Sequence, residues 1–115
     1  MNEVIYLLSI RGTLIPATIE EARHFHNMTA GNPQGVAGAK ALGDLSHMVY
    51  TPIGQNGATS EFLILDLWNS VDGLNQFFSD HQVQEGGNMI FKQRDPVVWS
   101  PAEGFYGYHI PAPSG

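Results

Sequence analysis

Between Ser60 and Phe91 the chain changes rhythm once. Glu61, Phe62, Leu63, Ile64, Leu65, Asp66, Leu67 and Trp68 alternate along a strand, with Phe62, Ile64, Asp66 and Trp68 on one side and Leu63, Leu65 and Leu67 on the other. Neither side is polar enough to be left in water without cost. At Asn69-Ser70 the period becomes helical, and Ser70 caps a helix from Val71 to about Ser79 whose buried side is Val71, Leu74, Phe77 and Phe78. Upstream, Glu3 to Leu14 reads as a strand apolar on both faces. Thr18-Ile19-Glu20-Glu21 matches a capping box and starts a helix reaching Ala30. Ile19, Ala22, Phe25, His26 and Thr29 form its inner face, while Glu20, Arg23 and Asn27 point more outward. Gly35 to Gly43 reads as a short helix or a mobile cover, because its glycines weaken a helix. Leu45 to Pro52 is a strand, and the Asn-Gly within Gly54 to Ala58 favours a tight reversal into the Ser60 strand. A second helical piece, Val83 to Lys92, carries a weak point at Gly86-Gly87, and Asp95-Pro96 opens a last strand, Val97 to Ser100.

The order strand, helix, strand, strand, helix, strand predicts a ferredoxin-like α+β domain covering residues 1–115, with helices packed on one face of a four-stranded antiparallel sheet. The other sheet face then carries large apolar residues with nothing to cover them. Two copies placing these faces together, helices outside, form the expected homodimer.

Composition narrows the partners. Eleven acidic against five basic side chains give a net charge of −6, and the scattered lysines and arginines do not make a phosphate-binding surface, so no nucleic acid is expected. Without cysteine there is neither a disulfide framework nor a thiolate metal site. The apolar run Val4 to Ile10 is too short to cross a bilayer and has no charged leader before it, so a soluble, cytoplasmic protein without membrane contact is expected. Gly-x-Gly-x-x-Gly, a phosphate loop, Gly-x-Ser-x-Gly and His-Glu-x-x-His do not occur, and no cofactor is expected.

The candidate chemistry is histidine and carboxylate. His81 follows a helix end, where an imidazole can exchange a proton near neutral pH or simply sit on the surface. Asp66 lies inside an apolar strand and must be paired, hydrated or protonated, either as a base or anchor beside a pocket or in a structural ion pair such as one with Arg11. His47 would orient or support the base, or bond to the backbone. Trp68, Tyr50, Phe77, Phe78 and His26 are candidate substrate contacts, each also suited to core packing. His24 and His26 are two apart, so on a helix their rings diverge by about 200° and cannot share an ion. No metal is assigned; His26 and His47 would be the contributors to one, since both lie in elements facing the core.

This layout, with Leu67-Trp68-Asn69-Ser70 and Phe77-Phe78-Ser79-Asp80-His81, resembles the dimeric α+β barrel superfamily, which includes antibiotic-biosynthesis-type monooxygenases, stress-responsive A/B barrel proteins, polyketide cyclases and heme-degrading enzymes. Asn69 stands where an acid is common. The resemblance implies that His81 projects into the ligand cavity from the loop after the helix. The heme-degrading branch would need a tryptophan around Phe77 and a histidine near Glu85 or Gly86, and both are missing. The plant cyclases would need a tyrosine near Phe77, and phenylalanine has no hydroxyl to donate. The implied activity is cofactor-independent oxygenation of an aromatic or polyketide-like molecule after deprotonation by His81, with Asp66 or His47 in support. The alternatives are a cyclase or isomerase using the same proton transfer without oxygen, and a ligand-binding stress-associated barrel without catalysis.

Overall fold

The computed structural model describes residues 4–15, 18–54, 60–105 and 107–108. Its elements are β1 (Tyr6–Leu14), α1 (Ile19–Thr29), α2 (Pro33–Ala41), β2 (Asp44–Tyr50), β3 (Glu61–Trp68), α3 (Val71–Phe78), α4 (His81–Ile90) and β4 (Phe91–Trp99). The strands form one antiparallel sheet in the order β2-β3-β1-β4. The βαββαβ frame is therefore present, with two helices at each helical step.

Three helix starts follow from local chemistry. Thr18 accepts from the Glu21 amide at 3.2 Å and Ser70 from the Gly73 amide at 3.0 Å, each satisfying a backbone donor that has no partner within its helix. Asn32 accepts from Gly35, and Pro33 occupies the first turn of α2. Gly35 to Gly43 is thus largely helix rather than open cover.

The last helix and strand depart from the expected boundaries. Asp80 caps α4 by accepting from the amides of Gln82 and Val83, so the helix starts ten residues before it hands over to Phe91. Gly86 and Gly87 do not break it. Gly86 is buried against Thr29 of α1, where a Cβ would lie 3.3 Å from the threonine Cβ, so the missing side chain allows two helices to pack closely. β4 then runs the length of β1, from Phe91 opposite Leu14 to Trp99 opposite Leu7. The hairpin bend expected near Asn56-Gly57 lies outside the described residues, but β2 and β3 do pair antiparallel.

The core lies between sheet and helices. Leu8, Ile10 and Leu14 of β1 and Phe62, Ile64 and Trp68 of β3 meet Ala22, Ala39, Leu74 and Ile90 from the helices. Trp68 is fully buried against Phe77 and Phe78, with ring centroids 5.7 and 6.2 Å away. Its indole Nε1 finds no acceptor among the described residues. Gly73 allows the start of α3 to meet the Leu42 carbonyl so closely that a Cβ would overlap it.

On the opposite face, Leu63, Leu65 and Leu67 of β3 are only half-buried and are flanked by Leu7, Met48 and Tyr50 at their paired or adjacent register positions. Trp99 extends this face and is 52 % exposed. No helix among the described residues is long and apolar enough to cross a membrane.

Candidate active site

One irregularity in the sheet builds the polar cluster. Continuing the alternation backwards from His47, which pairs with Asp66, would put Asp44 on the open face. Instead, the register shifts between Asp44 and Ser46, so that Asp44 pairs with Trp68. The extra residue, Leu45, swings out, and Asp44 comes to the helix side beside Asp66.

Asp66 is 3 % exposed, and a buried carboxyl needs partners. It has two. His47 Nδ1 lies 2.7 Å from Asp66 Oδ1, and the Asp44 carboxyl forms a hydrogen bond with that of Asp66. The other edge of the His47 ring continues the chain, since its Nε2 stands 2.8 Å from Nε2 of His26. The two imidazoles are nearly parallel, 7° between planes, and His26 Nδ1 lies 3.0 Å from Asn27 Oδ1. Asp44, Asp66, His47, His26 and Asn27 therefore form one hydrogen-bonded line from the buried sheet to the α1 surface.

The line has a direction. Asn27 Oδ1 accepts, so His26 donates from Nδ1 and accepts at Nε2. His47 must then donate from both nitrogens, to His26 and to Asp66, as an imidazolium does. The pKa shifts agree with this assignment. The hydrogen bond to Asp66 raises the pKa of His47 against the opposing effect of burial. Burial lowers that of His26, with the nearby His47 adding to the effect and the Asn27 bond opposing it. Asp44 is pushed up to about 7 by burial first and then by the Asp66 charge, so its proton is shared across the carboxyl pair.

These shifts set a pH dependence. Folding favours protonated Asp44, a contribution complete below the ordinary value of 3.8 and lost as pH rises through about 7. His47, also raised, loses its contribution in the same direction as pH climbs through its folded value above 6.5. His26 works oppositely, its contribution being lost as pH falls through a folded value below 6.5. Above pH 6.5 His26 no longer offsets the losses, and the melting temperature should fall until pH has passed the folded values of Asp44, about 7, and of His47. Asp44→Asn keeps a donor toward Asp66 without titrating, so between pH 3.8 and about 7 thermal melts of this variant should lose less stability with rising pH than the parent; an unchanged slope there would remove Asp44 from the linkage.

The line ends in a groove of about 320 Å³ lined by Ile19, Arg23, His26, Asn27, Val49, Thr51 and Phe62. A larger recess of about 430 Å³ involves Arg11, Gly12, Thr13, Glu61, Gln93 and Arg94, but it lacks an apolar floor. Its guanidinium groups are already bonded, Arg11 to Glu61 and Arg94 to Gln84 and Asn88.

Of the residues expected to act together, Asp66, His47 and His26 meet. His81 does not join them. It is the first residue of α4 rather than part of a loop aimed at a cavity, its side chain is 86 % exposed, and its Nε2 lies 2.8 Å from Glu85 one turn along. Trp68, Phe77 and Phe78 pack on one another in and beside the core and do not line the groove. Tyr50 pairs with Leu63 and belongs to the open sheet face. Arg11 is on that face too, bonded to Glu61, so it is not the partner of Asp66. Arg23, expected to point outward, lines the groove. Asp44 and Asn27 were not singled out in the sequence; the former needs the bulge to reach Asp66.

Asp44, His47 and Asp66 each offer a ligand atom, all within 4.8 Å of one another, so the same donors that share protons here have the chemistry to hold a divalent ion. The hydrogen-bonded line also suits proton transfer. When His47 is neutral, a proton taken up at the groove end can be matched by one passed to it, restoring the imidazolium that Asp66 stabilises.

Fold and site together define a ferredoxin-like α+β protein with a hydrogen-bonded carboxylate–histidine line under its helices. Solved structures share this fold. SnoaB, a cofactor-independent oxygenase from Streptomyces nogalater, superposes with a TM-score of 0.65 at 10 % identity over 87 % of this chain and 95 % of its own. A dimeric ferredoxin-like protein from an uncultured marine organism gives 0.62 at 10 % identity, covering 92 % and 95 %. An antibiotic-biosynthesis-monooxygenase-type protein from Nitrosomonas europaea gives 0.60 at 7 % identity, covering 90 % and 96 %. No protein-family model and no curated protein sequence matches the chain.

Proposed function

We propose that this chain is a small-molecule enzyme that deprotonates an aromatic or polyketide-like substrate in the α1–β2 groove and lets the resulting anion react with oxygen. The observation that carries this reading is the continuous line from Asp66 through His47 to His26, ending at an apolar groove. His26 Nδ1, which lies beside Asn27 Oδ1, is the atom a substrate proton would reach. For that step the His47 imidazolium first gives up one proton to solvent, leaving the line with His26 donating from Nε2 to a neutral His47 that keeps its Nδ1 proton toward Asp66. As Nδ1 gains the substrate proton, the Nε2 proton passes to His47, whose charge Asp66 stabilises. Asp66 and His47 thus keep their expected roles, while His81 has none in this scheme.

The oxygen step follows from the carbanion. An activated CH₂ group loses a proton, its anion gives electrons to O₂, a C–O bond forms, and cleavage of the O–O bond leaves a carbonyl and water. The net change, R₂CH₂ + O₂ → R₂CO + H₂O, is balanced without a further reductant. The likeness of fold to SnoaB supports this choice.

A second reading rests on the line itself, which moves protons and contains nothing that requires oxygen: an isomerase or cyclase using the same base. Turnover of activated-methylene substrates with and without oxygen separates the two. Oxygen consumption matching product supports the oxygenase, whereas undiminished anaerobic turnover replaces it with the isomerase or cyclase. In either case the enzyme is proposed to be a homodimer through the open faces of its sheets, a reading supported by the half-buried leucines of β3 and by a dimeric structure with the same fold.

A further inference from the structure

The groove contains a cation that no described residue answers. Arg23 lines it beside His26 and Asn27, above the apolar side chains of Ile19, Val49 and Phe62. Among the described residues it has no ion-pair or hydrogen-bond acceptor, whereas Arg11 is bonded to Glu61 and Arg94 to Gln84 and Asn88. Of the chain's three arginines it is the one that makes no such bond among the described residues. Arg23 and His26 are three apart on α1, so their side chains stand next to each other on the helix. The groove therefore presents an open guanidinium fork, an apolar floor and the end of the proton line within one recess.

That combination selects a ligand. The fork of an arginine matches a carboxylate with two parallel hydrogen bonds, which a neutral carboxamide cannot accept in the same way. A single cation suits one negative charge better than a phosphate, and about 320 Å³ accommodates one or two fused rings. We propose that the groove binds a small aromatic or similarly apolar carboxylic acid, its carboxylate on Arg23, its ring on Ile19, Val49 and Phe62, and its reactive C–H toward His26. This names the substrate class of the site described under Proposed function and rests on that reading for the chemistry alone; binding of the acid does not depend on it.

The test is calorimetric titration with 1-naphthoate, its neutral isostere 1-naphthamide, and 1-naphthyl phosphate. The carboxylate should bind at least about tenfold more tightly than the amide, and more tightly than the phosphate. Arg23→Gln should abolish the preference for the acid over the amide, and Arg23→Lys should restore part of it, with melting temperatures showing that both variants fold. Equal affinity for acid and amide, a preference surviving Arg23→Gln, a preference for the phosphate, or no binding of either naphthyl compound at millimolar concentration would overturn the inference. Deuterium exchange of 1-naphthylacetate at its methylene separates the two claims. Acid-selective binding without exchange would leave the groove assignment standing and remove the proton-transfer reading; exchange into a neutral ketone without acid preference would do the reverse.

Discussion

Replacing His47 with glutamine is expected to slow substrate proton exchange by about 10²- to 10⁴-fold, the usual contribution of a positioned acid–base group. The reason is positional. His47 is the only member of the line bonded to imidazole on one side and to carboxylate on the other, at 2.8 and 2.7 Å. Glutamine can hold one of these neighbours but cannot accept a proton at one edge while releasing one at the other. Because the His47 side chain is 34 % exposed, the fold should survive, and circular dichroism with a thermal melt would verify that. The comparison that gives the result meaning is His81→Ala. With its ring 86 % exposed and paired only with Glu85, it should leave the rate within about twofold of the parent, as surface substitutions away from special contacts usually do. If His81→Ala abolished exchange and His47→Gln did not, the site assignment would be reversed.

Leu65→Asp is expected to turn a dimer into a monomer that melts at least about 10 °C lower or aggregates. Leu65 sits mid-strand on the open face, opposite Ser9 of β1 and Met48 of β2, where a carboxylate would face the partner sheet without a cation. Burying an unpaired charge in an interface costs several kcal/mol, about 3–5 by analogy with broken buried pairs. Light scattering coupled to size exclusion reads the mass of parent and variant directly. A monomeric parent with a concentration-independent melt would dispose of the face-to-face arrangement, whatever the variant did.

The parts of the fold readable from sequence were those set by local rules. The alternation of β3 placed Asp66 and Trp68 on one side and three leucines on the other, and the structure has them so. Caps at Thr18 and Ser70 were legible because serine and threonine chemistry acts within a few residues. The α4–β4 boundary was not, since the helical pattern reads on to Lys92 and Asp95-Pro96 reads as the strand's opening, whereas pairing with β1 starts the strand at Phe91. The site was legible in the same proportion. His26 and His47 were seen as core-facing histidines, but their contact spans 21 positions and depends on how α1 lies over β2. Asp44 depended on a single inserted residue in the β2 register, which alternation alone predicts wrongly. His81 was placed by likeness of motif, and α4 starting two residues earlier than expected made it an exposed first helical residue.

The location of β2 at the end of the strand order has one more implication for how catalysis would scale with subunits. If two sheets stack back to back, each reaction chamber lies on an outer layer near a lateral rim, with both sheets between it and its twin. Ligand arriving at one has no structural messenger to the other, so saturation curves should be hyperbolic. A hybrid assembled from one intact and one inactivated copy should then work at half speed.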